Sequence, residues 1–186
     1  MKPSYKVSPG KIAVVETAVI IALPELSPVV DGWRERTCDD RPSIGIPPHV
    51  TLLHPFVPAE TADASIDSLR ELFAATPSFD VAFHELRRWP GMAYLAPEPP
   101  EPFAELTQAI FARWPDYPPY EGIHETVIPH LTVAYGDESL LAEVEADIVP
   151  HLPVELRVTE AVLLEELEPD RLWAERARFP FTATRQ

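Results

Sequence analysis

Two segments, GIPPHVTLL around His49 and TVIPHLTVA around His130, carry the same order of Ile, Pro, His, an aliphatic residue, Thr and another aliphatic residue. An imidazole has a pKa of about 6.5, so it can accept or give a proton near neutrality, and a threonine hydroxyl can donate a hydrogen bond to a charged oxygen. Side chains alternate along a strand, so His49 and Thr51 would share one face, about 6.6 Å apart along it, with Val50 and Leu52 opposite. His130 and Thr132 would stand in the same way against Leu131 and Val133. Pro48 and Pro129 suit strand starts, where a missing N–H is tolerated and the preceding residue is held extended. Two such strands side by side about a pseudo-twofold axis would flank a groove able to take a phosphate. One imidazole would take a proton from water and the other give one to the leaving oxygen, while the hydroxyls bond the non-bridging oxygens. That chemistry requires no metal and no cofactor. Packing gives no reason to keep His and Thr together twice, so His49, Thr51, His130 and Thr132 are expected to be catalytic.

The elements that must position these residues follow from hydrophobic periodicity. The apolar segment KIAVVETAVIIALP reads as a buried strand, about ten apolar residues being too few to span a bilayer. Ser27 before Pro28 looks like a helix N-cap, with Leu26, Val29, Val30 and Trp33 as the stripe. Residues Arg41 to Pro48 read as a loop and HVTLLHPF as a strand. Ile66, Leu69, Leu72 and Phe73 mark a second helix, and Phe79 to Leu95 reads as two strands turning at Pro90 and Gly91. Pro97 to Pro102 reads as a loop, and Phe103, Leu106, Ile110 and Trp114 as a helix stripe. A long loop over Pro115 to Ile123 leads to a strand within HETVIPHLTVAY. A helix at Leu140, Leu141, Val144 and Ile148 and strands near Val154 to Leu164 and Arg171 to Phe181 close the chain. Hairpins mixed with helices argue for an α+β fold with antiparallel or mixed sheets, formed by residues 1–186 as one domain.

Composition narrows the partners. With 46% hydrophobic and 24% charged residues among 186, the chain folds into a core. A formal charge of −15 repels polyanions, and the basic clusters are short, so a small nucleotide is an easier substrate than extended nucleic acid. One cysteine, Cys38, cannot make an intrachain disulfide, which fits a reducing, cytoplasmic setting. Neighbouring Asp39 and Asp40 would raise its pKa, against a nucleophilic role. By strand parity, His54 lies opposite the motif face and Tyr135 faces the core with Leu131 and Val133. Phe56 and Trp89 are expected in the core more than against a base, and Arg41 and Arg87 are solvated unless they meet a phosphate. His84 and His151 have no evident partner in sequence. HETVIPH differs from the zinc signature HExxH, since His124 and His130 are six apart and Pro129 would break the helix.

PHVT at Pro48 to Thr51 and PHLT at Pro129 to Thr132 resemble the paired signatures of the 2H phosphoesterase superfamily. The longer wording HVTLLHPFVP and PHLTVAYG is similar to its bacterial 2′-5′ RNA ligase-like, cyclic phosphodiesterase branch. The resemblance implies a bilobal, pseudo-twofold α+β fold with sheets lining a central groove and helices outside. It also implies hydrolysis of a 2′,3′-cyclic phosphate or 2′-5′ linkage, on a nucleotide, a small phosphoester or an RNA end. By the same resemblance His130 would activate water and His49 would be the acid. Members acting on RNA have a basic rim, which this acidic chain lacks in sequence. Two rivals stand beside this expectation: a nucleotide- or phosphate-binding module without turnover, and a metal-dependent hydrolase using His124, His130 and nearby carboxylates.

Overall fold

The computed structural model describes residues 15–122 and 127–183. The β-branched run TAVIIA forms strand β1 (Thr17–Ala22), and helix α1 (Ser27–Thr37) follows it. Strand β2 (His49–Leu53) carries the first motif and leads to helix α2 (Asp63–Ala74). A hairpin of β3 (Phe79–Trp89) and β4 (Met92–Glu98) turns at Pro90 and Gly91, the glycine taking the left-handed φ of 81°. Helix α3 (Glu101–Arg113), strand β5 (Leu131–Tyr135) and helix α4 (Glu138–Ile148) come next. Strands β6 (Val154–Val158), β7 (Glu160–Leu167) and β8 (Leu172–Pro180) complete the order.

The strands form two four-stranded sheets, ordered β2-β1-β7-β8 and β5-β4-β3-β6, with every neighbouring pair antiparallel. Each motif strand is thus the edge of its own sheet, and β2 and β5 lie against each other. The architecture is the expected two-lobed α+β fold, and its named sheets are antiparallel throughout. Helix α1, which connects β1 to β2, packs on β5, whereas α3, which connects β4 to β5, packs on β2. Each motif strand therefore rests on a helix from the other half. The helix stripes, among them Val30, Leu69, Phe73, Phe103, Ile110, Leu141, Val144 and Ile148, join one buried cluster with Val50, Leu52, Leu131 and Val133. Among the described residues no helix is long and apolar enough to cross a membrane.

Several local expectations change. Ser27 is not a cap: a 3₁₀ turn at Pro24–Leu26 precedes the helix, and its Pro24 carbonyl already accepts the Ser27 N–H. Pro97 belongs to β4; strand β5 pairs β4 only as far as Leu95, so the proline sits where one edge is open. The helix then begins at Glu101 with Pro102 in its first turn. Val154 to Leu164 is two strands, because β6 pairs with β3 and β7 with β1, in different sheets.

Two bulges overturn the parity argument. Ile20 pairs with Thr51 but Val19 with Leu53, leaving Leu52 as an extra residue; Tyr94 pairs with Thr132 but Ala93 with Ala134, leaving Val133. In both motifs the extra residue directly follows the threonine. A bulge inserts one residue on one side of the ladder and shifts all later side chains to the other face. Tyr135 therefore stands opposite Met92 on the face of Thr132 and is 41% exposed, not in the core. By the same shift Leu53 joins the core, and His54 returns to the motif face, where its ring lies 6.0 Å from that of Trp173.

Leu131 is fully buried within the motif strand. Truncating it to alanine is expected to destabilise the fold by about 2–5 kcal/mol, measured by urea unfolding. A change below about 1 kcal/mol would contradict this packing.

Candidate active site

Both imidazoles are held by the same local device. His49 Nδ1 lies 2.8 Å from the carbonyl oxygen of Pro47, and His130 Nδ1 lies 2.8 Å from that of Ile128. A carbonyl oxygen only accepts, so each Nδ1 carries its proton and Nε2 is the nitrogen that can exchange one. The carbonyl lies two residues upstream in each case, with the motif proline between. The loop entering the first motif also depends on Gly45, whose φ of 94° and close approach to the Trp173 carbonyl would be denied to any residue with a Cβ.

The structure brings the two motifs together: His49 and Thr51 lie on β2, Thr132 lies on the adjacent β5, and His130 directly precedes β5 and acts electrostatically on His49. A tyrosine phenol lies within reach of each threonine: Thr51 acts to lower the pKa of Tyr120, and Thr132 that of Tyr135. Tyr120 comes from the loop before the second motif, in a left-handed conformation with φ of 51°, and its N–H donates to the His54 carbonyl at 2.9 Å. Burial and the charge of Asp40 push the Tyr135 phenol up to about 12, and burial also raises that of Tyr120. Both therefore remain neutral hydrogen-bonding groups near neutral pH.

Among the described residues, Asp40 and Arg34 bring charge to the site. The Asp40 carboxylate lies 3.9 Å from His49 Nε2 and 3.8 Å from Arg34 Nη2. Arg34 is only 1% exposed; it donates to the carbonyls of Asp40 and Ile46, and its Nη1 lies 3.2 Å from the Asp31 carboxylate. It thereby ties the Asp40 loop to the segment entering the first motif. Burial holds His49 below its usual pKa, Asp40 and the Pro47 carbonyl opposing this while Arg34 and His130 reinforce it. Around His130 stand the rings of Trp89 at 4.9 Å and Tyr94 at 5.8 Å, both edge-on.

Other expectations resolve individually. Phe56 is core, packed edge-on against Trp114, whereas Trp89 is only partly buried and borders His130. Arg41 pairs with Glu35, and Arg87 with Glu85 and Glu98. Burial, then Asp40, drives the Cys38 thiol up to about 12, which makes it a poor nucleophile. His54 pairs with Glu16 and His84 with Glu98. His124 lies outside the described residues. Tyr120, Asp40 and Arg34 escape a sequence reading: only the Cys38-Asp39-Asp40 cluster and the Arg34-Arg36 pair are visible there, and neither points to the histidines.

Comparison with known proteins decides the family. A family model described as the 2′-5′ RNA ligase superfamily matches residues 22–170, spanning both motifs. The chain belongs to the 2′-5′ RNA ligase superfamily. Solved structures share the fold: E. coli LigT complexed with 3′-AMP aligns with a TM-score of 0.59 at 18% identity, over 90% of this chain and 98% of that one. TT0787 of Thermus thermophilus gives 0.59 at 19% identity, over 91% and 100%. E. coli LigT complexed with NADP+ gives 0.57 at 19%, over 90% and 98%. A search of curated proteins finds no match.

Because its folded pKa is depressed, His49 disfavours protonation of the native state. Folding stability should fall as pH drops from about 6.5 toward the lower native value, and be undiminished above about 6.5. Urea unfolding of the wild type and His49→Gln between pH 8 and about 4.5 checks this. The difference in stability should shift against the wild type on acidification, and a constant difference would count against the burial of His49.

Proposed function

We propose that this chain is a metal-independent phosphoesterase that opens a 2′,3′-cyclic phosphate or cleaves a 2′-5′ phosphodiester by two-histidine acid–base catalysis. The observation that carries the reading is the pair of identically tethered imidazoles, His49 on β2 and His130 directly before the adjacent β5, each with its Nδ1 held by a backbone carbonyl and a threonine two residues on. His130 takes a proton from the attacking water and His49 gives one to the leaving oxygen. Thr51 and Thr132, each backed by a tyrosine, donate to the non-bridging oxygens as charge develops there.

The substrate is small. Arg41 and Arg87 are both paired with carboxylates, and the chain as a whole is strongly acidic, so an extended RNA gains little from the surface around the groove. The nucleotides in the LigT structures support a nucleotide as the small phosphoester, and an RNA end is a further candidate that presents the same group. The half-buried Trp89 beside His130 offers a base a ring. A core shared between both sheets supports reading the whole chain as one unit, and the single buried cysteine suits a reducing, cytoplasmic setting.

The test is hydrolysis of the four nucleoside 2′,3′-cyclic monophosphates in EDTA, with the product isomer identified. His49→Ala and His130→Ala should each lower turnover by about 10²–10⁴ with the fold intact by circular dichroism, and the pH–rate profile should be bell-shaped with two apparent pKa values belonging to the pair. Undiminished turnover in both variants would end the mechanism. Nucleotide binding by calorimetry with no turnover of any cyclic substrate would favour a binding module instead.

A further inference from the structure

The face of the first sheet that carries His49 and Thr51 also carries a cleft. Residues directly opposed in an antiparallel pair share a face. Ala22 lies opposite His49 and Ile20 opposite Thr51, Val162 of β7 lies opposite Ile20, and Arg178 of β8 lies opposite Val162. Ile20, Ala22, Val162 and Leu164 therefore continue the motif face across the sheet as an aliphatic floor. Beside them opens a cleft of about 400 Å³, walled by Ser27 and Asp31 of α1, by the loop before β2 and by Glu175 and Arg178 of β8. Pro47, whose carbonyl tethers His49, lines it as well. We propose that this cleft is the base subsite of the enzyme: it takes the nucleobase attached to the ribose that bears the phosphate, and it selects a base with an exocyclic amino group over uracil. The assignment deepens the two-histidine reading above and rests on it.

The place of the base follows from in-line displacement. Water attacks phosphorus opposite the leaving oxygen, and in a 2′,3′-cyclic phosphate that oxygen stays bonded to the same ribose. With water on the side of His130 and the leaving oxygen on the side of His49, the ribose and its base project past His49 over the first sheet. Neighbouring strands lie about 4.8 Å apart, so β1 and β7 run about 5 and 10 Å from β2. A phosphate at Thr51 thus carries its base, one sugar ring further on, over the row of Ile20 and Val162. The size of the cleft falls within the roughly 300–1,000 Å³ of small-molecule sites. Trp89 is the other surface a base can use, and it stands beside His130, on the side of the water.

The polar rim sets which base fits. Among the described residues lining the cleft the one cation is Arg178, and its guanidinium is already engaged: Nε and Nη2 donate to the Glu175 carboxylate and Nη1 to that of Glu160. Asp31 accepts from the buried Arg34 through Oδ1, and Arg34 also faces Asp40. Two guanidiniums thus stand among four carboxylates, and the rim offers more acceptors than donors. The hydrogen bond from Arg178 holds the Glu175 carboxyl below its usual range, so it is ionised near neutral pH. Such a rim repels a second phosphate and accepts from N–H groups, while the aliphatic floor meets the face of a ring. Adenine, guanine and cytosine each present an exocyclic amino donor; uracil presents a carbonyl oxygen where cytosine has its amino group, and a carboxylate cannot bond to that.

The experiment compares kcat/KM for the four nucleoside 2′,3′-cyclic monophosphates with that for glycerol 2,3-cyclic phosphate, which has the cyclic ester but no base. Full-length wild type, Ser27→Phe, Glu175→Gln and Trp89→Ala are used, each checked for fold by circular dichroism. Wild type should favour the adenosine, guanosine and cytidine substrates over uridine by about tenfold or more, the scale of one hydrogen bond to a charged group. Ser27→Phe, which fills the cleft, should cut the ratio of nucleoside to glycerol substrate by about tenfold or more, and Glu175→Gln should narrow the preference against uridine. An unchanged ratio in folded Ser27→Phe overturns the proposal. So does a wild type that takes uridine as well as the others, or a ratio that falls in Trp89→Ala alone. Calorimetry with adenosine 2′-monophosphate and with inorganic phosphate reads the subsite without turnover: Ser27→Phe should weaken the nucleotide about tenfold more than the phosphate, and equal weakening overturns the proposal. Absence of hydrolysis of every cyclic substrate by the wild type would instead remove the phosphoesterase reading, and the calorimetric difference would still decide the subsite.

Discussion

The hydrogen bond from each motif imidazole to the carbonyl two residues before it is the interaction on which the arrangement of the groove turns. It fixes a tautomer that isolated histidine would not hold, and it does so with a backbone group whose own position is stiffened by the motif proline between acceptor and donor. Because the acceptor is local, the device works identically in both halves whatever surrounds them. The long-range structure supplies the meeting of the two strands, and each strand is left at a sheet edge so that its outer side can face the other. The antiparallel order, the crossed helices and the shared core serve that meeting.

The bulges add a second layer. In a regular strand, the residue three after a threonine would point away from it. The extra residue after each motif threonine brings His54 and Tyr135 back to the active face, so the Thr132 hydroxyl gains a phenol from its own strand. The Thr51 hydroxyl has no such neighbour in β2 and instead receives the phenol of Tyr120 from the loop ahead of the second motif. Equivalent threonines are thus supported by the same functional group reached along different chain routes.

What can be read from sequence divides along the same line. The two HxT tripeptides are legible because strand alternation is local, and the four helices because apolar stripes at Leu69 and Phe73 or Leu141 and Val144 recur at helical spacing. The bulges are not legible, since a bulge is defined by what the partner strand pairs with, and parity places Tyr135 in the core for that reason. Asp40 is visible only as an acid beside a cysteine; its place at His49 depends on how buried Arg34 folds the loop back. Only the pairing of β6 with β3 and of β7 with β1 shows that Val154 to Leu164 is a crossing between sheets.

The exchange of helices between halves has a mechanical consequence. Since β2 rests on α3 and β5 on α1, swinging the halves apart would pull each motif strand from its own support and expose apolar side chains on both at once. A hinge along the groove would therefore expose apolar surface in both halves together. The distance between the imidazoles behaves as a fixed gauge, and a ligand must be accommodated by side chains and loops along the cleft while the cleft itself keeps its width.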